Sequence, residues 1–106
     1  MKSFDENIDD TLLAIEEAID DTGEDIDYDT IAGILTLTFP DDSKIIINRQ
    51  SATQQLWIAA RSGGFHLDWM EGNWMISQDQ TNLSSLLTEL CTKQLGEHVT
   101  LHINQE

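Results

Sequence analysis

Cysteine occurs once, at Cys91, and proline once, at Pro40. A lone cysteine permits no disulfide within the chain, rules out zinc sites built from several thiolates, and suits a reducing compartment. Basic residues are scarce too: 5 Lys and Arg stand against 20 Asp and Glu, a formal net charge of -15. A surface of that sign repels nucleic-acid phosphates and anionic headgroups, and attracts cations and basic protein surfaces. Neither nucleic acid nor membrane is therefore an expected partner. No apolar run reaches the roughly 20 residues needed to cross a bilayer. The N-terminal stretch has neither the apolar core of a signal peptide nor the arginines of a transit peptide, so the expectation is a bacterial cytoplasmic protein. No Gly-rich phosphate loop and no convincing catalytic set is present, so no enzyme is expected.

The 106 residues fit one domain, 1–106, and the 40% hydrophobic content is enough for a core. The charge is uneven. Residues 1–29 carry 12 acids against Lys2 alone, or -11, whereas the other 77 residues carry -4. That asymmetry calls for a local explanation.

Phe4, Ile8, Leu12, Ile15 and Ile19 recur at helical spacing and fall within an arc of roughly 80° on a wheel of about 100° per residue. Asp5, Glu6, Asp9, Asp10, Glu16, Glu17, Asp20 and Asp21 cover the other side, with Leu13 among them. Ser3 suits the N-cap and Gly23 the stop. Short strands follow. Ile26, Tyr28 and Thr30 alternate with Asp25, Asp27 and Asp29, which predicts a half-exposed strand. Further strands are expected around Leu35–Phe39, Ile45–Gln50, Leu56–Ile58, Phe65–Trp69 and Trp74–Ile76, with turns at Pro40–Ser43 and Glu71–Asn73. Leu83, Leu86, Leu87, Leu90 and Cys91 then mark a second amphipathic helix closed by Gly96. Val99 to Ile103 alternates weakly and is expected against the core. Successive strands with tight turns pair antiparallel, and two terminal helices can cover one face. The predicted fold is an α+β two-layer sandwich: an antiparallel sheet of five to six strands with N- and C-terminal helices on one face.

Carboxylates three or four apart on a helix are neighbours, and hard cations prefer oxygen ligands. Glu16 with Asp20, Glu17 with Asp20, Glu17 with Asp21, and Asp5 with Asp9 are such pairs, and Asp25, Asp27 and Asp29 extend the surface if their strand lies beside the helix. Such a site is open, so cation binding is expected to be weak, multiple and poorly selective, with divalent and trivalent ions interchangeable. His66 and Asp68, two apart on a strand, form a lesser candidate pair, and His98 with His102 would meet only on a helix. If Leu56 and Ile58 face the core, Trp57 stands on the uncovered sheet face, whereas Trp69 and Trp74 read as core. Cys91, on an apolar stripe, reads as a buried inert thiol.

Ile47-Asn48-Arg49-Gln50 at a strand end, Gln55-Leu56-Trp57, Gly63-Gly64-Phe65-His66, Asn73-Trp74 at a hairpin and the leucine-rich closing helix come in an order that resembles the frataxin family, most of all its bacterial branch. The resemblance covers nearly the whole chain, with a shortened connection around Thr22 to Asp25. It implies an iron-binding protein, holding Fe²⁺ or Fe³⁺ loosely, that docks on a cysteine desulfurase and an iron–sulfur scaffold protein and regulates cluster assembly. On that reading the metal residues are Glu16, Glu17, Asp20, Asp21, Asp9, Asp25, Asp27 and Asp29, and the partner contacts are Glu17, Asp20, Asp21, Asn48, Arg49, Gln50 and Trp57. Two other readings stand beside it: a ferroxidase or iron-storage activity, and an acidic adaptor with no metal role. The strong charge favours a monomer.

Overall fold

The computed structural model describes residues 3–103. The order is α1 (Phe4–Thr22), β1 (Asp27–Ile31), β2 (Ile34–Thr38), β3 (Lys44–Gln50), β4 (Gln55–Ala60), β5 (Gly63–Met70), β6 (Asn73–Met75) and α2 (Leu83–Leu95). The six strands form one antiparallel sheet in sequence order, so both layers of the predicted sandwich are present.

Local chemistry sets the ends of each element. Ser3 and Glu6 close a reciprocal capping box at the start of α1, and Gly23, at φ 68, ends it in the left-handed conformation. Asn82 caps α2 by accepting from the Ser85 amide. Ala32 and Gly33 both have positive φ, 54 and 77, in the two-residue turn between β1 and β2. That geometry follows the strands' own twist.

Alternation then sorts the side chains. Leu35, Leu37, Ile45, Ile47, Leu56, Ile58, Leu67 and Trp74 point to the helices, where they meet Ile8, Leu12, Ile15 and Ile19 of α1 and Leu83, Leu86, Leu87, Leu90 and Cys91 of α2 in one core. The only buried polar side chains among the described residues are Thr11 and Gln94. Gln94 ties α2 to the sheet, donating to Ser43 Oγ at 2.9 Å and accepting from the Arg61 amide at 3.1 Å. Thr11 Oγ1 accepts from Trp74 Nε1 at 2.9 Å.

The tail at residues 97–103 is neither helix nor strand, yet it lies against the core as expected, with Val99 and Leu101 buried. Three hydroxyls one turn apart on α2 take its main-chain amides: Thr92 that of Val99 at 3.2 Å, Thr88 that of Leu101 at 3.0 Å, and Ser84 that of Ile103 at 3.2 Å.

Two expectations are corrected here. All five residues of β1 are exposed, not half of them. The strand is the sheet's edge, and its helix-facing Tyr28 and Thr30 meet the carboxylates of α1 through their hydroxyls instead of packing under apolar side chains. Trp69 is not core but 37% exposed. Its cross-strand partner Trp74 fills the space beneath the short β6, and Trp69 packs edge-on against it, ring centres 5.3 Å apart, with its outer side in water.

Candidate functional site

The acidic flank of α1 divides into two halves with different surroundings. In the first, Arg49 reaches from the end of β3 to Asp5 Oδ1 at 3.0 Å and Asp9 Oδ1 at 2.5 Å. Arg49 follows Ile45 and Ile47 on the helix side of its strand, away from Asn48 and Gln50. Gly33 makes room for it, since a Cβ there would stand 3.1 Å from Arg49 Nη2. The hydrogen bond to Asp9, joined by that to Asp5, pushes the guanidinium pKa up. Arg49 is thus an internal clamp and not part of an open contact surface with Asn48, Gln50 and Trp57. Asp9, expected as a metal ligand, is held by it.

In the second half, no basic side chain among the described residues pairs with Glu16, Glu17, Asp20 or Asp21. The last turn of α1 has no base, so Asp20 and Asp21 sit at the negative end of the helix dipole. Carboxylates there cost a few tenths of a kcal/mol each instead of stabilising. Two of the four are positioned by hydroxyls of β1: Thr30 donates to Glu16 and Tyr28 to Asp20 Oδ2, the latter at 2.9 Å. The bond to Asp20 in turn raises the Tyr28 phenol above its ordinary range. Glu17, Asp20 and Asp21 line a shallow groove of about 340 Å³ with Ala14, Ala18 and His102. The pattern on α1 alone does not reveal His102. It reaches the groove because Val99 and Leu101 are buried and the alternate residues of the tail turn outward.

Asp25 is exposed in the short connection between α1 and β1. The expected extension of the acidic face along β1 is not formed in one plane. Tyr28 and Thr30 face α1, so Asp27 and Asp29 project from the opposite face of the sheet. Among the described residues no three His, Cys, Asp or Glu side chains converge on a point that could hold an ion. The carboxylates form an open rim, able to hold cations through their charge and through pairs of oxygens.

The uncovered sheet face carries a second constellation. Trp57 is half-buried on it, with Asn48 opposite on β3 and His66 opposite on β5. The Trp57 and His66 rings stack with centres 4.3 Å apart and planes inclined by 12°. Gln55 braces the pair, accepting from Trp57 Nε1 at 3.0 Å and donating to Asp68 Oδ1 at 3.1 Å. His66 stacks on Trp57 and Asp68 accepts from Gln55, and the two line one hollow of about 300 Å³ together with Gln55 and Ile76. Gln50 lies opposite Gln55 on the same face. Trp57 and His66 line a mostly apolar hollow of about 180 Å³ with Ile46, Ala59, Phe65 and Asn48, which makes Trp57 an aromatic anchor on the open face.

The remaining candidates separate. His98 pairs with Thr100 Oγ1 at 3.2 Å, and the non-helical tail keeps it from His102. Cys91 is buried, and desolvation pushes its thiol up to about 12, which fits an inert core residue. No helix among the described residues is long and apolar enough to cross a membrane.

Against known proteins, the frataxin-like domain matches residues 1–97. The chain is 43% identical over 96 residues to the iron–sulfur cluster assembly protein CyaY of Vibrio vulnificus, covering 91% of this chain and 92% of that one. Among solved structures it resembles a frataxin from Psychromonas ingrahamii, with a TM-score of 0.83 and 34% identity over 93% of this chain and 97% of the other. It also resembles a trimeric frataxin of the yeast Saccharomyces cerevisiae complexed with ferrous iron, with a TM-score of 0.69 and 28% identity over 92% and 88% of the two chains.

Proposed function

The chain belongs to the frataxin family, and from that premise we propose that it serves iron–sulfur cluster assembly as a non-enzymatic, iron-responsive docking protein. The observation that carries this reading is the division of α1. Asp5 and Asp9 are paired with Arg49, while Glu16, Glu17, Asp20 and Asp21 are left without a base among the described residues, and Asp20 and Asp21 stand in the last turn, where the helix dipole opposes them. A fold that bears this cost at one helix end presents those carboxylates to something positive.

Two occupants suit that rim. Fe²⁺ or Fe³⁺, as cargo, is held loosely by pairs such as Glu17 with Asp21, and other divalent or trivalent cations take its place. A basic patch on a cysteine desulfurase pairs with the same carboxylates, so bound iron and the docked partner compete and iron level tunes assembly. Asn48, Gln50 and Trp57 on the open sheet face then meet the scaffold protein, with Trp57 as the anchor. The iron in the yeast relative is consistent with the cation role. A ferroxidase of the buried di-iron kind needs carboxylates inside the protein, and the described core has none. We propose a cytoplasmic monomer, in keeping with the net charge of -15.

The test is the triple reversal Glu17→Lys, Asp20→Lys, Asp21→Lys, with folding checked by circular dichroism. Desulfurase binding at low salt is expected to fall at least tenfold, and Co²⁺-induced amide shifts in the last two turns of α1 to disappear. Undiminished binding by the folded variant overturns the docking role. Saturable Fe²⁺ oxidation above buffer would move the reading to an enzyme.

A further inference from the structure

β1 is an edge strand, and its outer main chain is open. The turn at Ala32 and Gly33 makes Ile31 and Ile34 the first hydrogen-bonded pair of the hairpin, and the alternation makes Asp29 with Thr36 and Asp27 with Thr38 the next. The N–H and C=O groups of Tyr28 and Thr30 therefore point away from β2. No turn or loop hydrogen bond among the described residues engages them. All five residues of the strand are exposed, an open edge of about 17 Å at roughly 3.3 Å per residue.

The charge around this edge has one sign on both faces. Asp27 and Asp29 flank it on the open face of the sheet, and Glu16 and Asp20, tied to Thr30 and Tyr28, flank it on the helix side. No lysine or arginine occurs between Lys2 and Lys44. An edge with free main-chain groups invites a further strand. A second copy of this chain would set Asp27 and Asp29 against their own kind, and like charges directly opposite destabilise a strand pair. We propose that β1 accepts an extended basic segment of a partner protein as a seventh strand, through the main-chain groups of Tyr28 and Thr30, with lysine or arginine side chains of the segment on both faces meeting Asp27 and Asp29 on one and Glu16 and Asp20 on the other. This goes beyond the docking role of α1, because it is read out in the main chain of β1, which side-chain pairing on the helix leaves untouched.

The probe is a nine-residue peptide of alternating lysine and threonine, blocked at both ends and added to the ¹⁵N-labelled full chain at low salt. A peptide of equal charge with proline at its centre serves as control. Amide hydrogen exchange at Tyr28 and Thr30 is expected to slow at least tenfold with the first peptide, to recover in 0.5 M salt, and to stay fast with the second. Asp27 and Asp29 are solvent-exposed, so the double variant Asp27→Lys, Asp29→Lys keeps the fold and is expected to abolish the protection. No slowing with the alternating peptide, or equal slowing by both peptides, overturns the proposal. Slowing that grows with the protein's own concentration in the absence of peptide would make the occupant a second copy, and overturns it too.

Discussion

Arg49 Nη2 stands 2.5 Å from Asp9 Oδ1, which fastens the end of β3 to the second turn of α1 across a separation of 40 residues. The same guanidinium holds Asp5. It thereby offsets part of the charge on one half of the helix, whereas no base among the described residues does so for Glu16, Glu17, Asp20 and Asp21 on the other.

Removing that clamp with Arg49→Gln leaves Asp5 and Asp9 facing each other one turn apart. Both carboxylates are about two-thirds exposed, at 68% and 67%, so the loss is about 1 kcal/mol or less. At about 4–8 °C per kcal/mol for a domain of this size, a fall in Tm of a few degrees is expected at low ionic strength. Salt screens such pairs, so the gap between variant and parent should narrow in 1 M NaCl. Amide shifts on Co²⁺ titration should also spread from the C-terminal half of α1 to Asp5 and Asp9. An unchanged shift map would show that Arg49 does not confine the cations.

Thr11→Val tests the polar contact inside the core. The substitution keeps the side-chain volume but removes the acceptor at 2.9 Å from Trp74 Nε1. The hydroxyl also donates to the Asn7 carbonyl at 2.7 Å, so two hydrogen bonds are lost, at a cost of about 1–3 kcal/mol. Urea denaturation should show a lower midpoint with an unchanged slope, whereas a changed slope would mean a loosened native or unfolded state.

Asp41 gives a pH signature. The Ser43 hydroxyl and amide, and then the Arg61 guanidinium, lower its pKa to about 2. A carboxylate more acidic in the folded state stabilises the fold above its unfolded pKa, near 3.8, and that contribution fades as pH drops through about 2. Asp41→Asn should therefore melt below the parent at pH 6, and the two curves should converge as pH approaches 2. A gap that persists at pH 2 would assign the effect to the changed side chain and not to ionisation.

Much of this was readable in the chain. The apolar stripes of both helices, the capping residues Ser3 and Gly23, and the strand alternation from Leu35 to Ile58 report burial directly, because each residue's environment is set by its own element's period. The alternation of Leu56, Trp57 and Ile58 likewise placed Trp57 on the open face. Arg49 is a different case. It sits in a run with Asn48 and Gln50, but period two turns it to the helix side, and its partners lie on α1, far along the chain. Trp69 shares the inward parity of Leu67, yet parity cannot show that Trp74 already fills the space beneath it. Asp27 and Asp29 look continuous with the acids of α1 in sequence, and only the direction of Tyr28 and Thr30 shows that they face the other way. What was missed depends on contacts between elements, where no local period operates.

The tail is fastened to α2 by its main chain, with Ser84, Thr88 and Thr92 each accepting from an amide, and by the buried side chains of Val99 and Leu101. Evolution is therefore free to rewrite His98, Thr100 and His102 without unfastening the segment, provided proline stays out of 99, 101 and 103. His102, which borders the carboxylate groove, occupies one of these unconstrained places, so the surroundings of that groove can diversify between relatives while the scaffold beneath stays fixed.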